Sequence, residues 1–135
     1  MDGVILTPLK QIQHPQGNIL HAMKQSEQSY TDFGEAYFST VKKTNIKGWK
    51  KHTQMILNLI VPVGEIKFVI FNEKKNQFFI AQLSLNNYQR LTIMPHLWVA
   101  FQGISDENIL LNIASEEHNP SESINADLSS FNYIW

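Results

Sequence analysis

Short runs of β-branched and aromatic residues recur along this chain at close spacing, with Gly, Asn, Pro or Ser between them, while the 3.6-residue periodicity of amphipathic helices is hard to find. The pattern predicts strands near 18–24, 35–42, 55–63, 65–72, 77–83, 89–93, 98–102 and 108–114. Turn residues separate nearly all of them. Val63-Gly64-Glu65 joins two strands tightly, and Glu73-Lys74-Lys75-Asn76 is a polar hairpin loop. About eight strands in one compact unit predict an all-β jelly roll or small barrel, one domain over 1–135.

Alternation assigns faces. Ile66, Phe68 and Ile70 share one side of their strand, with Glu65, Lys67 and Val69 on the other. The segment from Met55 to Val61 is apolar on both sides except at Asn58, as expected of a strand covered on both faces. After Ser115 the chain turns polar and acidic until Phe131-Asn132-Tyr133-Ile134-Trp135, whose aromatics are costly to leave in water. Residues 115–135 are therefore expected to dock back onto the domain.

Composition narrows the class. With 135 residues, 43% of them hydrophobic, such a domain buries roughly two-thirds of its unfolded surface and holds a core without cross-links. There is no cysteine, which removes disulfides, thiolate metal ligands and a thiol nucleophile together. No apolar run approaches the ~18 residues of a membrane span, and Met1-Asp2-Gly3 begins no signal peptide, so the expected location is the cytoplasm, with no membrane partner. The net charge of −1 hides an asymmetry: residues 1–90 carry 11 basic against 6 acidic residues, and 91–135 carry 6 acidic and none basic. Lys42, Lys43, Lys47, Lys50 and Lys51 lie close together, marking either a phosphate-bearing ligand or a solvated surface. No basic stripe runs through the rest of the chain, which argues against nucleic acid.

Ile46-Lys47-Gly48-Trp49-Lys50-Lys51-His52-Thr53 leads into the buried strand. If it is extended, Lys50, His52 and Gln54 share one face and Trp49 and Lys51 the other, so a cation, an imidazole and an amide meet inside the barrel.

Five motifs, in order, carry a resemblance: Gly34-Glu35-Ala36-Tyr37-Phe38-Ser39; Ile46-Lys47-Gly48-Trp49-Lys50-Lys51-His52; Val63-Gly64-Glu65-Ile66-Lys67-Phe68-Val69-Ile70; Arg90 to Phe101; and Ile109-Leu110-Leu111-Asn112-Ile113-Ala114. Together, over about residues 18–120, they resemble the cupin sugar-nucleotide enzymes typified by dTDP-4-dehydrorhamnose 3,5-epimerase, above all the shorter epimerase-like and sugar 3,4-ketoisomerase members. The resemblance implies a cupin jelly roll and a homodimer with N-terminal strands exchanged. It also implies metal-free and cofactor-free action on a dTDP-linked 4-keto-6-deoxyhexose in the making of surface polysaccharide such as lipopolysaccharide. Such chemistry needs a base for the proton beside the ketone, a donor for the enolate, and an acid that returns a proton.

In that family the base is a histidine just after the Gly-aromatic pair, a position held here by Lys50; the second histidine of the ketoisomerase pattern matches His52, and a further one falls at Val99. Lys50 serves as base or enolate stabiliser, or else His52 transfers the proton alone. Tyr37 and Tyr88 are candidate acids. For substrate binding the candidates are Arg90, Gln54, Asn58, His96, Trp98 and Asn112. Each has a plainer alternative: Arg90 binds a diphosphate or forms a salt bridge, His96 caps the pocket or sits idle in a loop, and Trp98 stacks on the ligand or packs. Asn58 and Asn112 line the pocket or satisfy the core. Of the residues that hold a metal in other cupins only His52 is present, with Ile56 and Leu57 where a glutamate belongs, so no metal is expected. Two family histidines are replaced, and this keeps open a second reading: a non-catalytic cupin that binds a nucleotide sugar or a partner enzyme. A third is a structural subunit.

Overall fold

The computed structural model describes residues 1–135. Two five-stranded antiparallel sheets face each other. The first has the order β1-β9-β6-β11-β4, with β1 Val4–Pro8, β4 Glu35–Thr40, β6 Leu57–Val63, β9 Gln89–Ile93 and β11 Ile109–Ala114. The second is β12-β5-β10-β7-β8, with β5 Ile46–His52, β7 Ile66–Asn72, β8 Gln77–Leu83, β10 Trp98–Gly103 and β12 Ser123–Asn125. A small hairpin pairs β2 Gln11–Ile12 with β3 Ile19–Leu20. Two single-turn 3₁₀ helices, at Pro120–Glu122 and Leu128–Ser130, are the only helices, and none is long and apolar enough to cross a membrane. This is the all-β cupin-like jelly roll the strand pattern predicts.

Alternation assembles the core. Ile66, Phe68 and Ile70 from β7 meet Leu57, Leu59 and Val61 from β6 and Leu91 and Ile93 from β9 between the sheets. At the tight β6–β7 turn Gly64 has φ +78°, and a side chain there would strike the Glu107 carbonyl. The opposite face of β7 is not left to water. Val69 and Phe71 join Trp49, Trp98 and Ala100 in a second apolar layer outside the second sheet, and Phe131, Tyr133 and Trp135 pack on it. Phe131 sits 5.4 Å from Trp49 and 5.1 Å from Trp98 between ring centroids. Lys67 lies 5.0 Å from the Tyr133 ring centre, so a strand position that alternation gives to solvent holds a cation over an aromatic face.

The strand expected at 18–24 shortens to Ile19–Leu20. Residues after Leu20 run as an irregular strap over the outer face of the first sheet, bonded mainly to side chains rather than to a strand ladder. Tyr88 donates to the His21 carbonyl, Arg90 to Ala22 and Ser29, and Asn58 to Thr31. Strand β1 pairs with β9 of its own chain. It and β12 were not visible as strands in the sequence: Val4–Pro8 ends in proline, and Ser123–Asn125 is three residues long.

Candidate active site

A cavity of about 530 Å³ opens between the sheets, within the roughly 300–1,000 Å³ range of small-molecule sites. Its floor is apolar, from Leu57, Leu59, Val99, Phe101 and Leu110. Its polar groups come from opposite walls: Tyr37, Ser39 and Asn112 from the first sheet, and Lys47, Lys50 and His52 from the second.

Strand β5 reaches this composition through a bulge. Against β10, Lys50 pairs with Val99 and Lys47 with Phe101, leaving Gly48 and Trp49 opposite Ala100 alone. Lys47 thereby turns to the same side as Lys50 and His52, contrary to strict alternation. Gly48 permits it: its φ is +140°, and a Cβ there would lie 2.5 Å from that of Ala100. Trp49 is turned outward and is buried in the aromatic layer, its indole N–H directed at the Leu128 carbonyl.

His52 is held by a residue the sequence did not point to. Glu122, 5% exposed, has one carboxylate oxygen on His52 Nδ1. The other accepts the backbone N–H groups of Thr53, Gln54 and Met55 at 3.1–3.2 Å, in the turn that leaves β5. Burial alone would push the Glu122 carboxyl up. The hydrogen bond from His52, the N–H groups of Met55 and Gln54 and the charge of His52 outweigh it and hold the group below the ordinary carboxylate range. An ionised carboxylate only accepts, so Nδ1 carries the hydrogen, and it is Nε2 that gains or gives up the second proton on the cavity side. No third His, Cys, Asp or Glu joins the pair to make a metal-binding group. Glu122 stands 70 residues from His52, in a polar acidic stretch indistinguishable by composition from a solvated tail.

On the opposite wall, Tyr37 and Asn112 are cross-strand partners on β4 and β11, and the Asn112 amide donates to the Tyr37 hydroxyl at 2.9 Å. Of the residues singled out in sequence, the fold thus brings Tyr37, Lys50, His52 and Asn112 to one cavity. The others lie elsewhere. Arg90 and Tyr88 share a parity on β9 and its approach that turns them away from Leu91 and the core, towards the strap. Arg90 is completely buried there, bonded to Glu27, Ser29 and Ala22, so its guanidinium does not face the cavity. Asn58 is on the same outer face, its amide fully used by Thr92, Thr31 and Ile113. Gln54 is exposed in the turn beyond β5. His96 is an exposed loop residue with φ +72° whose backbone N–H donates to the His52 carbonyl at 2.7 Å. Trp98 packs in the outer aromatic layer beneath Lys51, whose ammonium is 4.7 Å from the ring centre. Lys47, marked in sequence only as one of the lysine cluster, had a signal for its turn into the cavity in Gly48, since an isolated glycine within a strand pattern marks a bulge.

Comparison with solved structures finds the same architecture. A dTDP sugar isomerase from Desulfovibrio desulfuricans is 29% identical and superposes with a TM-score of 0.91, over 96% of this chain and 87% of that one. QdtA, a sugar 3,4-ketoisomerase from Thermoanaerobacterium thermosaccharolyticum solved with TDP, is 22% identical with a TM-score of 0.80, over 92% and 88%. A dTDP-4-dehydrorhamnose 3,5-epimerase from Sulfolobus tokodaii is 19% identical with a TM-score of 0.87, over 98% and 82%. No curated protein matches the chain. The family model described as FdtA: WxcM-like, C-terminal matches residues 2–134, and the chain belongs to that family.

Proposed function

We propose that this protein is a sugar-nucleotide isomerase or epimerase that moves a proton beside the ketone of a dTDP-linked 4-keto-6-deoxyhexose. The observation that carries this reading is a histidine whose Nδ1 is committed to a buried carboxylate, leaving its Nε2 free beside a cavity that a tyrosine lines from the opposite sheet. The similarity to the Desulfovibrio dTDP sugar isomerase supports the substrate class.

Nε2 of His52 takes the hydrogen from C3 of the sugar, and the electron pair passes to the C4 oxygen as an enolate. Glu122 stabilises the imidazolium that forms. Lys50, on the face shared with His52, supplies a fixed positive charge for the enolate oxygen, where the family pattern has a titratable histidine. The Tyr37 hydroxyl returns a proton from the opposite wall. Return to the far face of C3 inverts that carbon. Return to C4, with the hydroxyl proton passing from O3 to O4, moves the ketone. Lys47, brought to the cavity by the β5 bulge, suits the diphosphate. The apolar floor favours the deoxygenated end of the sugar. The reaction belongs to deoxysugar supply for surface polysaccharide, and the chain acts as a homodimer in the cytoplasm.

The test is proton exchange followed by NMR. With dTDP-4-keto-6-deoxyglucose in heavy water, the protein is expected to replace the C3 hydrogen by deuterium faster than buffer alone. Absence of exchange at C3 and C5 would sink the catalytic reading, and persistence of dTDP binding would then leave a binding protein.

A further inference from the structure

Asn112 is buried at 2% exposure, yet both ends of its amide are committed, and the commitments are not interchangeable. One end faces the backbone N–H of Asn58 at 3.2 Å. A backbone N–H only donates, so the atom facing it is Oδ1, and the flip of the amide is decided by chemistry. Nδ2 is therefore the atom 2.9 Å from the Tyr37 hydroxyl oxygen. An amide nitrogen has no lone pair to accept a phenolic hydrogen. Tyr37 must accept from Asn112, and its own hydrogen must point away from Asn112.

The Asn58 end is rigid. Strands β11 and β6 shift register between Ile109 and Leu111, and the Asn58 side chain is pinned by Thr92 Oγ1 at 2.8 Å, by Thr31 Oγ1 at 2.8 Å and by the Ile113 carbonyl at 3.0 Å. The chain of bonds runs from the strap through Asn58 and Asn112 to a tyrosine that is 42% exposed where it lines the cavity.

We infer that Asn112 is a positioning residue that aims the Tyr37 hydroxyl hydrogen into the cavity and holds Tyr37 as the group that returns a proton to the sugar. This rests on the reading of the site given above. The return step balances simply: the Tyr37 O–H bond breaks, a C–H bond forms from the enolate electron pair, and the Asn112 N–H stabilises the phenolate left behind. The phenolate recovers its proton from solvent.

Replacing the donor by an acceptor of the same shape tests this. Asn112→Asp keeps an oxygen for the Asn58 N–H and presents a second oxygen to Tyr37, which then donates to it rather than to the sugar. His52 is untouched, so it still removes the C3 hydrogen, exchanges it with solvent and returns a deuteron to the same face. The experiment follows dTDP-4-keto-6-deoxyglucose in heavy water with wild type, Asn112→Asp and Tyr37→Phe, recording C3 exchange and product formation together. The expected result is that both variants form product about tenfold or more slowly while exchange stays close to wild type. Equal loss of exchange and product in a folded Asn112→Asp variant, or product at the wild-type rate, overturns the inference. If circular dichroism shows Asn112→Asp unfolded, Asn112→Ala deletes the donor without adding charge and is judged by the same ratio. A wild type that exchanges nothing refutes the reading of the site itself, which distinguishes the two failures.

Discussion

His52–Glu122 and Arg90–Glu27 are built from the same parts: a basic side chain on a strand and a carboxylate from an irregular segment, 70 and 63 residues apart in sequence. Both are largely withdrawn from water. They differ in what is left over. His52 spends one nitrogen on its carboxylate and keeps the other beside a cavity, whereas Arg90 spends its terminal nitrogens on Glu27, Ser29 and the Ala22 carbonyl, and its Nε is buried without a partner. A buried ion pair with no free valence toward a cavity holds one segment to another, while a buried imidazole–carboxylate pair whose second ring nitrogen faces a cavity is equipped for proton transfer. Arg90 fastens the strap to the first sheet, and His52 is fastened by the segment that ends in the outer aromatic layer.

Three substitutions separate these cases. The largest effect is expected for His52→Ala, which removes the base: turnover falls by about 10³-fold, in the range that general base catalysis contributes, with a smaller loss of stability because Glu122 keeps its three backbone N–H donors. Full turnover in a folded variant would remove His52 from the mechanism and make the two pairs alike. Arg90→Met should do the reverse. It deletes a cation with no exposure beside a Glu27 side chain that is 22% exposed, so the loss is placed near the lower end for a broken buried pair, about 3 kcal/mol. The turnover of the remaining folded protein should be nearly intact, and urea unfolding with an assay at low denaturant checks both. A stable variant unable to bind dTDP would return Arg90 to the ligand.

The smallest effect is expected for Glu122→Gln, and it is read as a pH dependence. A carboxyl held below its ordinary 4.5 contributes stability that is complete above that value and is lost as pH falls through the lower folded value. The wild-type thermal midpoint should therefore drop below about pH 4.5, and Glu122→Gln should lack that component of the drop. Its turnover should fall about 10²-fold, because an amide that donates to Nδ1 inverts the tautomer and takes the lone pair from the cavity. An unchanged acid profile would mean that Glu122 is not ionised against His52.

Position in a strand was legible where burial is one-sided or complete. The core faces of β6, β7 and β9 follow from alternation, because each slip of one residue would turn Leu57, Phe68 or Leu91 to the wrong side. The shared face of Lys50 and His52 followed likewise. Parity was not enough where a bulge intervenes, as at Gly48, which adds Lys47 to the cavity. Nor does parity say which of two faces of a doubly covered strand meets a cavity: Asn58 and Asn112 look equivalent in sequence, yet one is spent beneath the strap and the other lines the site. Tyr88 and Arg90 face the strap and not the cavity for the same reason, since both lie an odd number of residues from the inward-facing Leu91.

By itself the sequence determined the class of fold, the central strands and the presence of His52 and Lys50 on one face, because these depend on residue type and a period of two. Only the tertiary structure decided that Glu122 would hold His52 and that Asn112 would donate to Tyr37. Those partners come from elements far apart along the chain, and a hydrogen bond depends on distance and direction in space, which local pattern does not encode.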